Sequence, residues 1–561
     1  MSSSPETGLS RRALLRRGAI GAGVVAAAPL LERAAFGAAG GTTVPGEMLS
    51  YARVRPRTLK QALALADFDD THTLLADGTL ELLLWPGDEA RLRKLGVDYE
   101  VTQPYRGPEL TAGRRLSGLA PQPGERTDYR RYADYVTDLQ KLATDHPKRS
   151  RMFEFPETSL EGRAIFGIEI ADDVARAATD GRPTFWVDGV HHAREWPSSE
   201  YTMMFAFDLL QSFGKDAEVT ALLKKIRVVV VPVVNADGFV HSREASPVYN
   251  PGLNNNLGFN IAGAESGWRK NKRSFTDALY AAGGTSSRLN ADAHGTDPNR
   301  NYPFFWGGEG GGGDPTSQTY GGAAPFSEPE ARNISGGMKA RQVTAYLTNH
   351  TSGQLCMRPW GYTTDESPDD AFQDDLGEQM CEKHLGYRNQ IGLSLYPTAG
   401  TSRDWSYGAL RTIVYTFEHN KAFHPPYAEN IPSTYAINRP AWLMLAEAAA
   451  DPRNHGVITG RAVTRGGGPA AGATVTLTKS FKTPVAEDVL AARDGSVPET
   501  ITSTAKADRQ GRFTVHANPS TRPTTIQDGR GREFWTVKIG SSSRQVFLDR
   551  GTKVDLGVVR V

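Results

Sequence analysis

The chain has 561 residues, more than one hydrophobic core usually holds, so we expect three or four folding units. Its 64 lysine and arginine residues nearly balance 63 aspartate and glutamate residues, for a formal net charge of +1. This balance excludes a general electrostatic attraction to nucleic acid or to an anionic membrane. The two cysteines, Cys356 and Cys381, are too few for a disulfide framework, and the sequence leaves open whether they pair.

The first 39 residues have the composition of an export signal. Arg11 and Arg12 precede an apolar, small-residue stretch at residues 18–31, which is too short to span a bilayer. We predict a twin-arginine signal peptide over residues 1–39 and a secreted, extracellular bacterial protein. A buried structural helix is the alternative. No later stretch reaches 18 consecutive apolar residues, so we expect no membrane anchor.

Residues 45–110 predict a small α+β unit. Strand-like runs occupy residues 51–54, 80–85 and 99–101, and residues 88–95 are helix-like. The unit is either a folding or inhibitory pro-segment or a permanent accessory domain. Residues 111–126 are rich in proline, glycine and arginine and predict a linker that a protease could cut.

Residues 127–452 alternate between strand-like and helical runs, which predicts an α/β fold with a mixed central sheet flanked by helices. Residues 226–234 are mostly apolar and β-branched, as in a strand buried on both faces. Pro232 cannot donate to a strand ladder, so regular pairing should stop near Val231. Residues 455–561 consist of short alternating runs separated by turns and predict a C-terminal β-sandwich.

His192 and Glu195 follow a strand-like run at residues 183–187 and precede a helix-like run. Ligands usually bind at such a strand end in an open α/β sheet. Imidazole nitrogen and carboxylate oxygen are good zinc donors, and a catalytic zinc site takes three protein ligands and a water. By itself the pair indicates little, because a chain with 12 histidines contains this spacing by chance about as often as not.

Further motifs follow the pair in order along the chain. They are Val233-Val-Asn-Ala-Asp-Gly-Phe239, Trp268-Arg-Lys270, Asp297-Pro-Asn-Arg-Asn301, His350 after an apolar run, Tyr396, Asp404-Trp-Ser-Tyr407 and Tyr415-Thr-Phe-Glu418. Together they resemble the zinc carboxypeptidases of the pancreatic carboxypeptidase A type, from near Asp128 to near Pro440. The C-terminal unit resembles the transthyretin-like regulatory domain attached to many carboxypeptidases.

The resemblance implies that one Zn²⁺ binds to His192, Glu195 and His350, with Asp297 holding a zinc histidine by its other ring nitrogen. It also implies roles for two charged residues outside this set. Glu418, at the end of an apolar strand, would be the general base, and a structural ion pair is the alternative reading of this residue. Arg269 would stabilise the developing oxyanion.

The resemblance also assigns residues to substrate binding. Arg300, with Asn299 beside it, matches the family's clamp for the terminal carboxylate, which an arginine fork can bind bidentately. Tyr396 matches the tyrosine that closes over the substrate, and Arg194 matches a subsite arginine. Arg403 falls at the position that lines the base of the pocket for the C-terminal side chain. An unpaired cation there favours C-terminal Glu or Asp, and the alternative is that a nearby carboxylate neutralises it.

We therefore expect a secreted zinc metallocarboxypeptidase that acts on peptides or proteins with a free C-terminus. One alternative is a hydrolase of peptidoglycan stem peptides with related metal chemistry, since these peptides also end in carboxylates. A second is a metal-free binding module, which would require the loss of a ligand or of the base, and neither is lost. A purely structural surface protein has no feature in its favour. The sequence leaves the oligomeric state open.

Overall fold

The computed structural model of the chain describes residues 49–65, 68–74, 79–85, 87–104, 126–244, 265–273, 295–315, 317–486 and 496–561. The predicted signal peptide and nearly all of the predicted linker lie outside the described residues. None of the helices in the described ranges is long and apolar enough to cross a membrane.

The N-terminal unit is a four-stranded antiparallel sheet in the order β2-β3-β1-β4, with two helices. Its elements are β1 (Ser50–Arg55), α1 (Leu59–Ala64), β2 (Asp69–Leu74), β3 (Leu80–Leu84), α2 (Asp88–Leu95) and β4 (Asp98–Pro104). The sequence predicts all of these except α1 and β2. β2 escapes prediction because its residues, DDTHTL, are almost all polar. Apolar side chains such as Val54, Leu82 and Leu92 form a core of the unit's own.

The central unit is an eight-stranded sheet in the order β11-β10-β12-β9-β7-β8-β6-β5, covered by helices. Its first half contains α3 (Tyr132–Asp145), β5 (Ser150–Glu154), β6 (Phe166–Ile170), α4 (Val174–Ala177), β7 (Thr184–Gly189), α5 (Trp196–Ser212), α6 (Ala217–Lys225), β8 (Arg227–Val231) and α7 (Ala236–Glu244). Its second half contains α8 (Pro329–Lys339), β9 (Val343–Thr351), β10 (Leu355–Arg358), α9 (Asp370–Gly377), β11 (Arg388–Ile391), α10 (Ser402–Leu410), β12 (Ile413–His419) and α11 (Tyr427–Ala450).

Four neighbouring strands of the central sheet, β12, β9, β7 and β8, run parallel to one another. β7, β8, β9 and β12 are buried along their whole length, and β8 (RVVVV) has the near-continuous apolar sequence that burial on both faces favours. β8 ends at Val231, directly before Pro232, as the sequence predicts. Cys356 of β10 forms a disulfide with Cys381 of a π-helical segment (Glu378–Leu385), which answers the pairing question that the sequence leaves open.

The C-terminal unit consists of two sheets, with three and four strands. Its elements are β13 (Gly456–Val463), β14 (Thr474–Pro484), β15 (Ser496–Lys506), β16 (Arg512–Ala517), α12 (Pro523–Gln527), β17 (Trp535–Ile539), β18 (Ser542–Val546) and β19 (Lys553–Arg560). The predicted fold class is confirmed, with a mixed sheet flanked by helices and a separate C-terminal β unit. A single apolar cluster runs from Trp186 and Trp405 of the central unit to Leu477 and Val537 of the C-terminal unit.

Candidate functional site

The predicted zinc ligands come from two neighbouring strand ends of the central sheet. His192 and Glu195 lie in the turn from β7 into α5, and His350 lies near the end of β9, which pairs in parallel with β7. Val190, just before the turn, has a φ of 55°, a conformation that β-branched residues rarely adopt. Its N–H donates to Ser198 Oγ at 2.9 Å, a contact that helps to hold the strained turn.

The three ligand side chains converge on one point. His192 Nδ1 lies 2.6 Å from Glu195 Oε1, and His350 Nδ1 lies 2.8 Å from Glu195 Oε2. The two Nδ1 atoms are 3.2 Å apart. Among the described residues, these three buried side chains form a group that could hold a metal ion. Two imidazole nitrogens and one carboxylate are a donor set of catalytic zinc sites, so the residues fit the predicted cofactor.

The electrostatics of the ligands favour the forms that bind metal. Burial by itself raises the pKa of Glu195, but His192 and His350 outweigh burial and hold this pKa well below its usual range. Burial lowers the pKa of His350, which favours its neutral imidazole. A carboxylate and neutral imidazoles are the protonation states that coordinate zinc.

Asp297 lies behind the ligand turn and joins several predicted site residues. Its Oδ1 lies 3.3 Å from His192 Nε2, as predicted for a carboxylate that orients a zinc histidine. Its Oδ2 accepts hydrogen bonds from Arg269 Nε at 3.1 Å and Arg269 Nη2 at 2.8 Å. Burial by itself raises the pKa of Asp297. Arg269 and His192 together have the larger, opposite effect and hold this pKa well below its usual range. Asp297 therefore stays ionised and links the ligand turn to Arg269.

Glu418 lies beside the ligands on the adjacent strand. β12 pairs in parallel with β9 and places Glu418 opposite His350, so both side chains leave the same face of the sheet. Glu418 is only 3% exposed, and the preceding Tyr415 and Phe417 belong to the hydrophobic core. A carboxylate held in a largely dry position beside a metal site has the surroundings expected of a general base.

Arg300, Asn299 and Tyr396 come together on one side of the ligands. Arg300 Nε donates to Gly310 O at 2.7 Å, and its Nη2 lies 3.4 Å from Tyr396 Oη. Asn299 Oδ1 accepts a hydrogen bond from Ser402 N at 2.9 Å, which orients its amide group. The structure thus assembles the three residues that the sequence resemblance assigns to carboxylate recognition and closure.

Arg403 is buried, as expected for a residue at the base of a pocket, but it is paired. Its Nε donates to Asp404 Oδ1 at 2.9 Å, and its Nη2 donates to Thr398 Oγ1 at 3.2 Å. The premise of an unpaired cation is therefore wrong, and the alternative of a neighbouring carboxylate holds. Sequence reasoning did not identify Asp404 as the partner of Arg403, because Asp404 is used there only as part of the motif that aligns this segment with the family.

Arg194 is fully buried, and its guanidinium is bound by a residue of the N-terminal unit. Its guanidinium forms an ion pair with both carboxylate oxygens of Asp69, the first residue of β2. Trp85 Nε1 donates to the same carboxylate at 2.8 Å, and Arg194 stacks over Phe423 at 4.2 Å. Sequence reasoning missed Asp69, because a single carboxylate in a polar segment carries no signal of a distant partner.

His191 is a further buried residue that the sequence reasoning missed. Its ring stacks on His350 with 5.8 Å between centroids, and its Nε2 lies 3.0 Å from Tyr302 Oη. Its Nδ1 lies 3.6 Å from Asp188 Oδ1. The one available signal is its place beside His192. His191 therefore packs beneath a predicted ligand without belonging to the ligand set.

Comparisons with known proteins agree with this geometry. The sequence profile described as zinc carboxypeptidase matches residues 135–441, which is more than half of the chain. Zinc carboxypeptidase A 1 of Anopheles gambiae is 28% identical over 54% of this chain and 63% of that protein's length. Carboxypeptidase B of Astacus astacus is 30% identical over 50% of this chain and 82% of that protein.

A solved structure shows the same fold. The crystal structure of carboxypeptidase A from Helicoverpa armigera aligns with a TM-score of 0.58 and 20% identity, over 72% of this chain and 98% of that one. The match to the family profile covers both ligand strands and Glu418. This chain belongs to the zinc carboxypeptidase family.

Proposed function

We propose that the protein is a zinc-dependent metallocarboxypeptidase that hydrolyses the C-terminal peptide bond of peptides and proteins. The observation that carries the proposal is the buried triad of His192, Glu195 and His350 with Glu418 in register beside it. When bound to the triad, zinc would polarise the scissile carbonyl and lower the pKa of a water molecule.

The chain's own residues would carry out the proton transfers and stabilise charge. Glu418 would accept a proton from the attacking water and deliver it to the leaving amine. Arg269 would stabilise the oxyanion that develops on the carbonyl oxygen. Burial lowers the pKa of Arg269, but Asp297 and the other acidic groups around it together outweigh burial and raise this pKa, so the guanidinium keeps its charge. Asp297 would also keep His192 and Arg269 in a fixed orientation.

Cleavage limited to the last residue requires recognition of a free carboxylate. Arg300 and Asn299 are proposed as that clamp, because a guanidinium fork binds a carboxylate through two parallel hydrogen bonds. The 3.4 Å approach of Arg300 Nη2 to Tyr396 Oη supports a role for the tyrosine in closing over the same group. An amidated C-terminus would lose the charge-assisted contact and should be a much poorer substrate.

Preference among C-terminal side chains depends on Arg403. Because Asp404 pairs with Arg403 and offsets most of its charge, we propose only a small preference for C-terminal Glu or Asp. Peptides that differ only in a terminal Glu, Leu or Lys, assayed with wild-type and Arg403→Ala protein, test it. A clear preference for Lys or Leu, or an unchanged ranking in the variant, would contradict it.

We further propose that the N-terminal unit is a pro-segment that restrains the enzyme. Asp69 occupies Arg194, the residue that the family resemblance assigns to a substrate subsite. The negative charge of the same carboxylate also helps to raise the pKa of Arg269. Substrate would therefore compete with the N-terminal unit for this part of the cleft, and cleavage at residues 111–126 would remove the competitor.

The export route and the type of C-terminal domain are also proposals. Twin arginines before an apolar stretch support a signal peptide at residues 1–39 and secretion. We propose a division of the chain at residues 45–110, 111–126, 127–452 and 455–561, and the separate N-terminal, central and C-terminal sheets support three of these units. Two packed sheets support a transthyretin-like domain.

The decisive experiment is Glu418→Gln, because an amide keeps the size of the side chain but cannot accept the water proton. We expect turnover to fall by about 10² to 10⁴, the usual contribution of a general base, with bound zinc unchanged. The measurement is kcat on an N-blocked dipeptide together with metal content. Glu447→Gln, at an exposed position on α11, is the matched control and should leave turnover unchanged.

A chelator should abolish activity in the wild type, and added Zn²⁺ should restore it. Product analysis by mass should show loss of single C-terminal residues. A Glu418→Gln protein with near wild-type turnover and a normal zinc content would refute the assignment of the base. Internal cleavage products would refute the exopeptidase assignment.

A further inference from the structure

Glu499 of the C-terminal unit is buried against the central unit, where it accepts several hydrogen bonds. Trp405 Nε1 donates to its Oε1 at 3.1 Å and to its Oε2 at 3.2 Å. Lys339 Nζ donates to Oε2 at 3.2 Å, and Thr483 Oγ1 donates to Oε1. The Glu499 side chain is only 1% exposed. Such a carboxylate holds its hydrogen-bond donors in place. Its removal would leave those buried donors without an acceptor, which costs free energy.

Trp405 connects this carboxylate to the proposed clamp. It lies in α10, whose first turn is capped by Thr401 Oγ1 at 3.2 Å from Asp404 N. The N–H of Ser402, at the start of the same helix, donates to Asn299 Oδ1 at 2.9 Å. The position of α10 therefore determines where Asn299 directs its amide group.

A second path joins the same unit to Arg300 through the backbone. Phe305 N donates to Pro484 O, the last residue of β14, at 2.8 Å, and Ala486 N donates to Trp306 O at 3.1 Å. The loop that follows Trp306 brings Gly310 O within 2.7 Å of Arg300 Nε. Both residues of the proposed clamp are thus held by segments that the β14–β15 hairpin contacts.

Contacts elsewhere in the interface lie at the opposite end of the central sheet. Asn518 Nδ2 donates to Val343 O at 2.7 Å, and Val343 is the first residue of β9. The proposed ligand His350 lies at the other end of that strand. The interface therefore has one contact area beside the clamp and another remote from it, and the two can be tested separately.

We propose that the β14–β15 hairpin of the C-terminal unit is a working part of substrate binding, with Glu499 as a positioning residue for Asn299 and Arg300. The inference rests on the proposed clamp. It extends that proposal, because neither Glu499 nor the hairpin belongs to the catalytic fold that the sequence resemblance covers. Binding of a substrate with a free terminal carboxylate would depend on the hairpin, and binding of a substrate without that carboxylate would not.

The test compares full-length wild type, Glu499→Ala, Trp405→Phe and Asn518→Ala on one peptide with a free or an amidated C-terminus. For Glu499→Ala we expect KM for the free peptide to rise roughly 10- to 100-fold, the scale for losing a hydrogen bond to a charged group. We expect kcat and zinc content to change little, and the rate on the amide to stay the same. Trp405→Phe removes the N–H and should act in the same direction.

The double variant Glu499→Ala/Trp405→Phe should be little worse than Glu499→Ala alone, because both changes break one link. Asn518→Ala removes the interface bonds to Val343 O and Thr412 Oγ1, which lie at the end of α10 away from Asn299, and should leave KM unchanged. If Glu499→Ala fails to fold, Trp405→Phe carries the test, because it keeps the aromatic volume and leaves the carboxylate with its other donors.

The possible outcomes are distinct. If the wild type cleaves free and amidated peptides equally, the assignment of the clamp is wrong, and this inference is wrong with it. A wild type that discriminates, with folded Glu499 and Trp405 variants that keep the same KM and the same discrimination, overturns the inference alone. An equal rise in KM in Asn518→Ala also overturns it, because the effect would then be a general loosening of the interface.

Discussion

The two units that flank the catalytic unit are attached in different ways. The N-terminal unit has its own hydrophobic core, and it meets the central unit through the ion pair between Asp69 and Arg194. The C-terminal unit shares one apolar cluster with the central unit. Backbone hydrogen bonds reinforce that attachment, such as His516 N to Gly181 O at 2.8 Å and Lys506 N to Thr179 O at 2.7 Å.

The difference indicates which unit can leave. Removing a unit that has its own core exposes little apolar surface, whereas removing one that completes a shared core exposes that core to water. A buried ion pair gives the N-terminal contact specificity. Breaking the pair leaves a buried, uncompensated charge only while the two units stay in contact, because separation returns both charges to water. These attachments support the proposal that the N-terminal unit can be released, and they predict that the C-terminal unit stays bound to the central unit.

The largest expected effect is the loss of the catalytic unit's fold when the chain is ended after Pro452. Each large apolar side chain returned to water costs about 1.5–3 kcal/mol, against a total stability of about 5–15 kcal/mol for a domain. The truncated chain should give little soluble protein and no cooperative thermal transition. A chain cut at residues 111–126 is the control and should stay folded. A soluble, active chain lacking the C-terminal unit would show that the shared core is dispensable.

The next effect is activation of the uncleaved protein by Asp69→Ala. Breaking a buried ion pair costs about 3–5 kcal/mol, which shifts the docked unit toward release and could raise kcat/KM about 100-fold. Asp98→Ala is the matched control, because Asp98 forms an exposed ion pair with Arg57 within the same unit. Cleavage at residues 111–126 should remove the difference between wild type and Asp69→Ala. Equal activity of all uncleaved proteins would mean that the unit is an accessory domain.

A smaller effect is acid loosening of the C-terminal attachment. His455 Nε2 lies 2.6 Å from His516 Nδ1, and burial lowers the pKa of His455 to about 3 and that of His516 to about 4. The unfolded chain, with histidine pKa values near 6.5, binds more protons in acid, so stability is present above about pH 6.5 and falls below it. The loss is about 1.4 kcal/mol per pH unit for each histidine.

Thermal unfolding of the wild type and of His516→Gln between pH 7 and pH 5 measures the contribution of this pair as a difference. Other buried titratable groups, such as Asp188, whose pKa burial raises to about 7, are common to both proteins. His516→Gln should reduce the slope, and its Tm should respond less to acid than that of the wild type. The cleaved enzyme without its N-terminal unit should keep the full slope, because both histidines lie outside that unit. Equal slopes of Tm against pH in the wild type and in His516→Gln would contradict the assignment of His516 as neutral in the folded state.

The sequence by itself determined the fold class of the central unit through local patterns, and it determined the ligand set through the resemblance of its ordered motifs to a family. The apolar run before Pro232 predicts where β8 ends, and the strand-to-turn placement of His192 and Glu195 follows from the runs on either side. Motif order then adds His350 and Glu418, and the structure brings these residues together at neighbouring strand ends. Local hydrogen bonding and hydrophobic periodicity fix such features over a few residues.

Only the tertiary structure decided the pairs that join distant segments. Asp69 with Arg194, Glu499 with Trp405 and the disulfide Cys356–Cys381 all depend on how separate elements pack. The pairing of Arg403 is different, since its partner is the next residue, yet its rotamer is set by Thr398 and the surrounding pocket. A lone charged or polar residue carries no signal of its partner, because the energy of a buried pair arises only after packing has removed water from both groups.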